Sequence, residues 1–125
     1  MSEGSRRPIA AAGATVAGAA VALGAFGAHA LEGALSPEAL GWWQTGVQYQ
    51  MWHALALVAL GVGSLSRPAW PAGLLGVGAL LFSATLYAMA LGAPRWLGAV
   101  TPAGGALMIA GWVLLALRLI RAGER

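Results

Sequence analysis

The stretch "GAFGAHAL", Gly24–Leu31, marks the end of the first long apolar run in the chain. The run begins at Pro8 and consists mostly of alanine and glycine. It is longer than the roughly 20 residues that a helix needs to cross the hydrocarbon core of a bilayer. The stretch therefore indicates the end of a membrane-spanning helix, and it places a histidine, His29, at that end.

Three further apolar runs follow, and each also begins with a proline. Proline suits the first turn of a helix because it lacks an N–H and has a fixed φ. Ser36 and Thr101 precede two of these prolines and are expected to act as N-caps. The connections are short, so consecutive helices should be antiparallel neighbours. We predict an all-α integral membrane protein, an antiparallel four-helix transmembrane bundle with short loops, folded as a single transmembrane domain over residues 1–125. Its expected spans are Pro8–Leu31, Pro37–Leu65, Pro71–Gly92 and Pro102–Ile120.

The composition supports lipid as the surrounding solvent. The chain is 59% hydrophobic and 9% charged, whereas a typical soluble domain is about 25% charged. It contains no cysteine, which excludes disulfides, thiolate metal sites and cysteine nucleophiles. The net charge is +3, but the arginines lie at the ends of apolar runs and not among aromatic residues on one polar face. We therefore expect membrane lipids as partners and no nucleic acid.

Arginine and tryptophan mark the ends of the predicted spans. With a cytoplasmic N-terminus, every arginine except Arg95 lies on the cytoplasmic side, as the positive-inside rule requires. We therefore expect both termini in the cytoplasm. Trp42, Trp43, Trp70 and Trp96 fall near span ends, where an aromatic belt would place them at headgroup level.

The beginning of the chain also resembles a secretory signal. Arg6 and Arg7 precede an apolar run that ends in "AHA", Ala28–Ala30, a motif of the A-x-A cleavage type. The apolar run is longer than the usual hydrophobic region of about 7–15 residues. We therefore expect this segment to remain as the first span.

Polar side chains occur inside the second and third predicted spans. On a helical wheel Tyr49 and Gln50 share a face with His53, and the turn at residues 68–69 places His53 level with residues 83–85 of the next helix. Unpaired polar groups are costly in hydrocarbon. We predict one intramembrane polar cluster, formed by Tyr49, Gln50, His53, Ser83 and Tyr87. Such a cluster either links helices or marks a functional site that binds a ligand or an ion or transfers protons.

A second polar group is expected nearer the outer surface, and it comprises His29, Gln44 and Gln48. His29 either ties the first two helices together or forms a pH-sensitive external site, since histidine titrates near neutral pH. His29 and His53 differ in predicted depth by about 12 residues, roughly 18 Å. One metal ion cannot bridge that separation. We therefore expect no metal site and no cofactor.

The first helix carries a stripe of small residues on the face of His29. A partner helix can approach such a stripe closely. Its members are Ala11, Ala14, Thr15, Gly18, Ala22 and Ala25. Gln44 and Gln48 lie on the face of helix 2 opposite His53, and their position also allows contact with a second copy in a homo-oligomer.

No set of catalytic residues is visible. The chain has no aspartate, its glutamates lie in loops or tails, and it contains neither a G-x-S-x-G nor an H-E-x-x-H motif. The first hypothesis is therefore a non-enzymatic interaction or accessory membrane module. The second is a pathway for a small solute, an ion or protons, or a lipid- or quinone-like ligand site around His53. The third is a haem or metal protein.

Two motifs, "GAFGAHAL" and "WWQTGVQYQMWHALAL" (Trp42–Leu57), resemble the YgdD/YwdK-like family of small four-span bacterial inner-membrane proteins, a domain-of-unknown-function family. With the four-span pattern, the resemblance covers essentially the whole chain. It implies a multi-pass protein of the bacterial inner (plasma) membrane. It implies no reaction, ligand or catalytic residue. His29, Gln48, Tyr49, Gln50 and His53 match the motifs without receiving a role from them.

Overall fold

The computed structural model describes residues 3–124, with side chains from Arg6 onward. In this range four long helices follow one another. They are α1 Glu3–Phe26, α2 Pro37–Val62, α3 Ala69–Ala90 and α4 Thr101–Gly123. A π-helical turn, Gly27–Leu31, continues α1, and a 3-10 turn, Arg95–Ala99, precedes α4. The predicted all-α class with four helices is confirmed for the described residues.

Three of these helices are long and apolar enough to cross a membrane when the described residues are considered. Their apolar segments are Arg6–Leu31, Ala69–Ala90 and Arg95–Gly123. α2 does not reach that hydropathy, because it carries three glutamines and a histidine among its apolar residues. A fourth span through α2 therefore stays a prediction.

The start of α2 agrees with its sequence signals. Pro37 is its first residue, and the hydroxyl of Ser36 accepts the N–H of Ala39 at 3.1 Å. This side chain satisfies one of the N–H groups that the first turn leaves without a helical partner. α1 and α3 begin before their prolines, and both Pro8 and Pro71 lie inside the helix.

Thr101 does not cap α4, so that prediction is wrong. Thr101 is the first residue of the helix, and its hydroxyl donates to the carbonyl oxygen of Leu97 at 3.2 Å. The same hydroxyl lies 2.7 Å from the hydroxyl of Thr85 on α3. The local sequence predicted that the Thr101 side chain caps α4, but that side chain instead makes a contact between α3 and α4.

The helices pack mainly in chain order, α1 on α2, α2 on α3 and α3 on α4. Two buried apolar clusters hold the bundle. One contains Leu57, Leu60, Ala72, Leu75 and Leu115, and the other contains Leu31, Ala39, Trp43 and Ala90. Along α2, the segment from Gly46 to His53 lies between the two clusters and carries the buried side chains of Gln50 and His53.

Glycines bring helix backbones into direct contact. A Cβ atom on Gly61 of α2 would lie 2.3 Å from the backbone nitrogen of Ala10 on α1. A Cβ on Gly78 of α3 would lie 2.8 Å from the carbonyl oxygen of Gly104 on α4. No larger residue fits at these crossings, so α1 packs on α2 and α4 on α3 at the closest approach that helices allow.

α1 packs on α2 through a face other than the predicted stripe. Its most buried positions, Arg6, Gly13, Ala20 and Gly27, recur at seven-residue intervals. The residues of the predicted stripe are all exposed, and they are Ala11, Ala14, Thr15, Gly18, Ala22 and Ala25. Beyond Arg6, the most buried positions are glycine or alanine like those of the stripe, so composition could not distinguish the face that α2 uses.

Candidate functional site

His53 on α2 is buried, and both of its ring nitrogens have partners. Nδ1 lies 2.8 Å from the carbonyl oxygen of Tyr49, and the indole N–H of Trp112 on α4 donates to Nε2 at 3.0 Å. A carbonyl can only accept and an indole N–H can only donate. The two neighbours therefore select the neutral imidazole with its hydrogen on Nδ1.

Gln50, one turn before His53, connects three helices. The hydroxyl of Tyr87 on α3 donates to Oε1 of Gln50 at 2.7 Å. Nε2 of the same amide donates to the carbonyl oxygen of Val16 on α1 at 3.0 Å. Gln50 is only 4% exposed, so this chain of hydrogen bonds lies within the protein.

Ser83 is almost fully buried and bonds to backbone. Its hydroxyl donates to the carbonyl oxygen of Gly46 on α2 at 2.7 Å. The Tyr87 ring packs on the same glycine, where a Cβ would lie 2.7 Å from a ring carbon. Gly46 thus brings α3 close enough for both the Ser83 bond and the Tyr87 contact.

Tyr49 joins the cluster through its ring. The ring stacks on His53, with centroids 6.1 Å apart and planes 9° from parallel, and it packs on Phe82 at 4.5 Å. Its hydroxyl makes no hydrogen bond within the described part of the chain. Tyr49 therefore supports the orientation of the imidazole through packing and through its backbone carbonyl.

The five predicted cluster residues lie along one stretch of α2 and α3, but they are bonded in pairs and do not converge on a shared point. Ser83 meets Gly46 where we expected it near His53, and Tyr49 meets Phe82 where we expected Tyr87. These contacts displace the predicted register between α2 and α3 by about one and a half to two helical turns. The side chain of His53 bonds to α4, which the wheel did not include.

The outer polar residues His29, Gln44 and Gln48 are exposed. Within the described chain, none of their side chains makes a hydrogen bond. His29 lies in the π-helical turn, and the contact between α1 and α2 at that level is made by another residue, Trp43.

Trp43 is a core residue, so its predicted place in an interfacial belt is wrong. It is 4% exposed, and its indole N–H donates to the carbonyl oxygen of Leu23 at 2.9 Å. A Cβ on Gly27 would lie 2.6 Å from the indole ring. Gly27, the second glycine of "GAFGAHAL", therefore leaves the space that the Trp43 ring occupies. The predicted pairing of levels between α1 and α2 already placed Gly27 opposite Trp43. Trp70 and Trp96, by contrast, are largely exposed.

Sequence reasoning also missed two arginines that bond to the loop between α2 and α3. The Arg6 guanidinium donates to the carbonyl oxygen of Gly63 at 3.0 Å and to that of Leu65. Arg118 donates to the carbonyl oxygen of Arg67. Cationic donors are favourable at the C-terminal end of a helix, where carbonyls lack helical partners. These bonds anchor the loop between α2 and α3.

The buried polar atoms of the site are all paired by internal hydrogen bonds. In the described part of the chain, every buried side-chain nitrogen or oxygen has a partner. Among the same residues, no group of three or more His, Asp or Glu side chains is close enough to hold a metal ion. This geometry is suited to joining helices, because no buried polar atom is left to meet a substrate.

Comparison with known proteins places the chain in a family. The model of the family described as "Protein of unknown function (DUF423)" matches residues 23–105. The chain is 49% identical over 98 residues to a UPF0382 membrane protein of Staphylococcus haemolyticus, covering 76% of this chain and 80% of that protein. It is 44% identical over 110 residues to the UPF0382 inner membrane protein YgdD of Escherichia coli, with 82% and 84% covered.

The UPF0382 membrane protein YwdK of Bacillus subtilis is 40% identical over 110 residues, with 82% of this chain and 87% of that protein covered. No solved structure matches the chain. The matched range of the family model contains both motifs and all the predicted polar residues, whereas Trp112 lies outside it. The resemblance seen in the two motifs is confirmed, and the chain belongs to the DUF423 family, together with YgdD and YwdK.

Proposed function

We propose that the protein is a non-enzymatic multi-pass membrane module, an interaction or accessory protein whose buried polar side chains hold its helices together. The observation that carries the proposal is that every buried polar atom of the cluster has a hydrogen-bond partner among the described residues. Tyr87 bonds to Gln50, Gln50 to the backbone of α1, and Ser83 to the backbone of α2. An enzyme or a solute pathway requires polar atoms that face a space where a substrate can stand.

The proposed topology is an antiparallel bundle of four spans in a single transmembrane domain. Contacts pair residues before the first turn with residues after it, Gly27 with Trp43, Gly13 with Ala54, and Ala10 with Gly61. This order is what an antiparallel pair requires. α2 packs against both α1 and α3, which gives its polar side chains protein neighbours and allows it to cross the bilayer despite its lower hydropathy.

The proposed location is the bacterial inner membrane with both termini in the cytoplasm. The Escherichia coli relative is named an inner membrane protein, and the arginine distribution favours this orientation. A reporter that is active only in the periplasm, fused to the C-terminus, should remain inactive. The same reporter inserted beside Arg95 should be active, and the reverse pattern would contradict the orientation.

The proposed interaction surface is the exposed stripe of small residues on α1. A Cβ on Gly18, in the middle of the stripe, would meet no atom within 4 Å. α2 occupies the opposite side of α1, so this stripe remains open to a second helix. We propose a second copy of the chain as its partner, since small-residue stripes allow close helix association in lipid.

A ligand site around His53 is the second candidate, and one observation favours it. Trp112, the partner of His53, also lines a cleft at the surface. A direct haem or metal bond to Nε2 would require Trp112 to leave, because the indole N–H occupies that lone pair. A proton relay through His53 would require the same displacement.

The deciding experiment compares His53→Ala with Gln48→Ala in native mass spectrometry and thermal unfolding in mild detergent. We expect His53→Ala to lower the Tm, because Trp112 loses its acceptor, and Gln48→Ala to have no effect, because Gln48 is exposed. Any adduct should be the same in both variants. An adduct that only His53→Ala loses, at an unchanged Tm, would contradict the proposal and support the ligand site.

A further inference from the structure

A cleft of about 750 Å³ opens between the C-terminal part of α2, the loop that follows it, and the C-terminal part of α4. This volume lies within the range of about 300–1,000 Å³ that is typical of ligand sites. The cleft lies at the end of the bundle where the described part of the chain carries every arginine except Arg95. Its inner wall is apolar, whereas its rim is lined by arginines.

The inner wall of the cleft is apolar. It is formed by Ala56 and Leu60 of α2 and by Trp112, Leu115 and Leu119 of α4. Leu60 and Leu115 belong to a buried core cluster, whereas Leu119 is 54% exposed. The wall is therefore a continuous apolar surface that runs from the core to the outside of the bundle.

The rim of the cleft is cationic. Arg67, Arg118 and Arg121 line it, and among the residues that the structure describes no carboxylate does. Arg118 donates to the backbone carbonyl of Arg67, which holds the loop against α4. Within the described chain, the guanidinium groups of Arg67 and Arg121 have no hydrogen-bond or ion-pair partner. Two guanidinium groups thus lie at the mouth of an apolar groove without an ion-pair partner among the described residues.

We propose that this cleft binds one anionic phospholipid, with an acyl chain along the apolar wall and the phosphate between Arg67 and Arg121. A guanidinium matches the geometry of a phosphate through paired N–H donors. Basic pockets between membrane helices on the cytoplasmic side are suited to anionic headgroups. A free phosphate would use the rim alone, so the joined apolar wall favours a lipid.

The inference rests on the proposed membrane insertion and orientation, which the reporter fusions test separately. With the proposed orientation in the membrane, Arg118 and Arg121 lie at the cytoplasmic end of α4, at headgroup level. The wall residues then lie on the hydrocarbon side of the rim. The ligand therefore comes from the inner leaflet.

The test uses the full chain, reconstituted in nanodiscs that contain equal amounts of phosphatidylglycerol and phosphatidylcholine, and then released for native mass spectrometry. The measured quantity is the fraction of chains that retain one phosphatidylglycerol. Arg67→Gln and Arg121→Gln remove rim charges one at a time. Arg7→Gln is the matched control, because it removes an exposed arginine at the same end of the protein but outside the cleft. Ala59→Trp fills the cleft and keeps every charge.

We expect the wild-type protein to prefer phosphatidylglycerol and each rim variant to retain it about fivefold less. Ala59→Trp should abolish retention, and Arg7→Gln should stay within about twofold of wild type. Equal retention of the two lipids, or an Arg7→Gln loss as large as that of Arg121→Gln, would overturn the proposal. Lipid-free protein that binds inorganic phosphate equally well with and without Ala59→Trp would also overturn it, in favour of a free-anion site. Each variant is first required to match the wild-type Tm, and Leu119→Gln, which makes the apolar wall polar, replaces Ala59→Trp if that variant does not.

Discussion

Trp112 of α4 and His53 of α2 are 59 positions apart in the chain, and the indole N–H of one donates to Nε2 of the other at 3.0 Å. This bond joins the last helix to the second. It also selects the imidazole tautomer, because Nδ1 must then donate to the backbone carbonyl of Tyr49. Trp112 is at the same time a wall of the arginine-rimmed cleft.

Replacing Trp112 with phenylalanine should weaken the bundle. The change removes the only donor to His53 Nε2 within the described residues and leaves a buried acceptor unpaired. We expect a loss of about 1 kcal/mol in the free energy of unfolding, a typical value for a hydrogen bond between helices in a membrane. Unfolding with increasing SDS in mixed micelles measures it. Trp70→Phe is the control, because Trp70 is 71% exposed. Equal losses in both variants would mean that the bond does not stabilise the bundle.

Adding a methyl group at a helix crossing should be more damaging than adding one elsewhere. A Cβ on Gly61 would lie 2.3 Å from the backbone nitrogen of Ala10, so Gly61→Ala must push α1 away from α2. We expect a loss of about 1–3 kcal/mol. A Cβ on Gly105 would meet nothing within 4 Å, and Gly105→Ala should stabilise α4 by up to about 1 kcal/mol through helix propensity.

The same SDS titration compares these two glycine variants. The difference between them is informative because both replace a helical glycine with alanine. A Gly61→Ala variant as stable as wild type would contradict the backbone contact between α1 and α2.

The exposed stripe on α1 leads to a prediction about self-association. Gly18→Leu places a bulky side chain in the middle of the stripe, where a second helix could no longer approach closely. We expect this variant to shift the protein toward the monomer in sedimentation equilibrium or in cross-linking within nanodiscs. Its own fold should be unchanged, because a Cβ at Gly18 meets no atom.

Gly73→Leu provides the control for this change. Gly73 is also an exposed helical glycine, and a Cβ there likewise meets nothing within 4 Å. The control variant should keep the wild-type oligomeric state. A wild-type protein that is monomeric at high concentration in lipid would contradict the stripe as a contact between copies.

The level at which α1 faces α2 could be predicted from the short connection between them. A turn near residue 35 pairs positions whose numbers sum to about 70, and Gly27 indeed lies against Trp43. The same reasoning failed by about one and a half to two turns between α2 and α3. α3 begins at Ala69, before the proline expected to start it, and loop length does not determine how far two helices slide along each other.

Trp42 and Trp43 are adjacent in the chain but differ in burial, and the sequence pattern does not predict which of them is buried. Trp42 lies at the surface, 5.3 Å beneath the Arg95 guanidinium, whereas Trp43 is buried against Gly27. A wheel separates the two by about 100°. It does not say which direction holds lipid, because α1, α2 and α3 are apolar on most sides.

The sequence by itself determined the helical class, the four segments and the family, because apolar length, proline position and two motifs are local features of the chain. It also identified the polar residues that hydrocarbon cannot satisfy, since this follows from solvation alone. Only the tertiary structure decided their partners. Trp112 bonds to His53, Thr101 to Thr85, and the small residues of α1 divide into a packed face and an open one. These choices depend on helix rotation, and rotation is set by side-chain packing summed over all four helices.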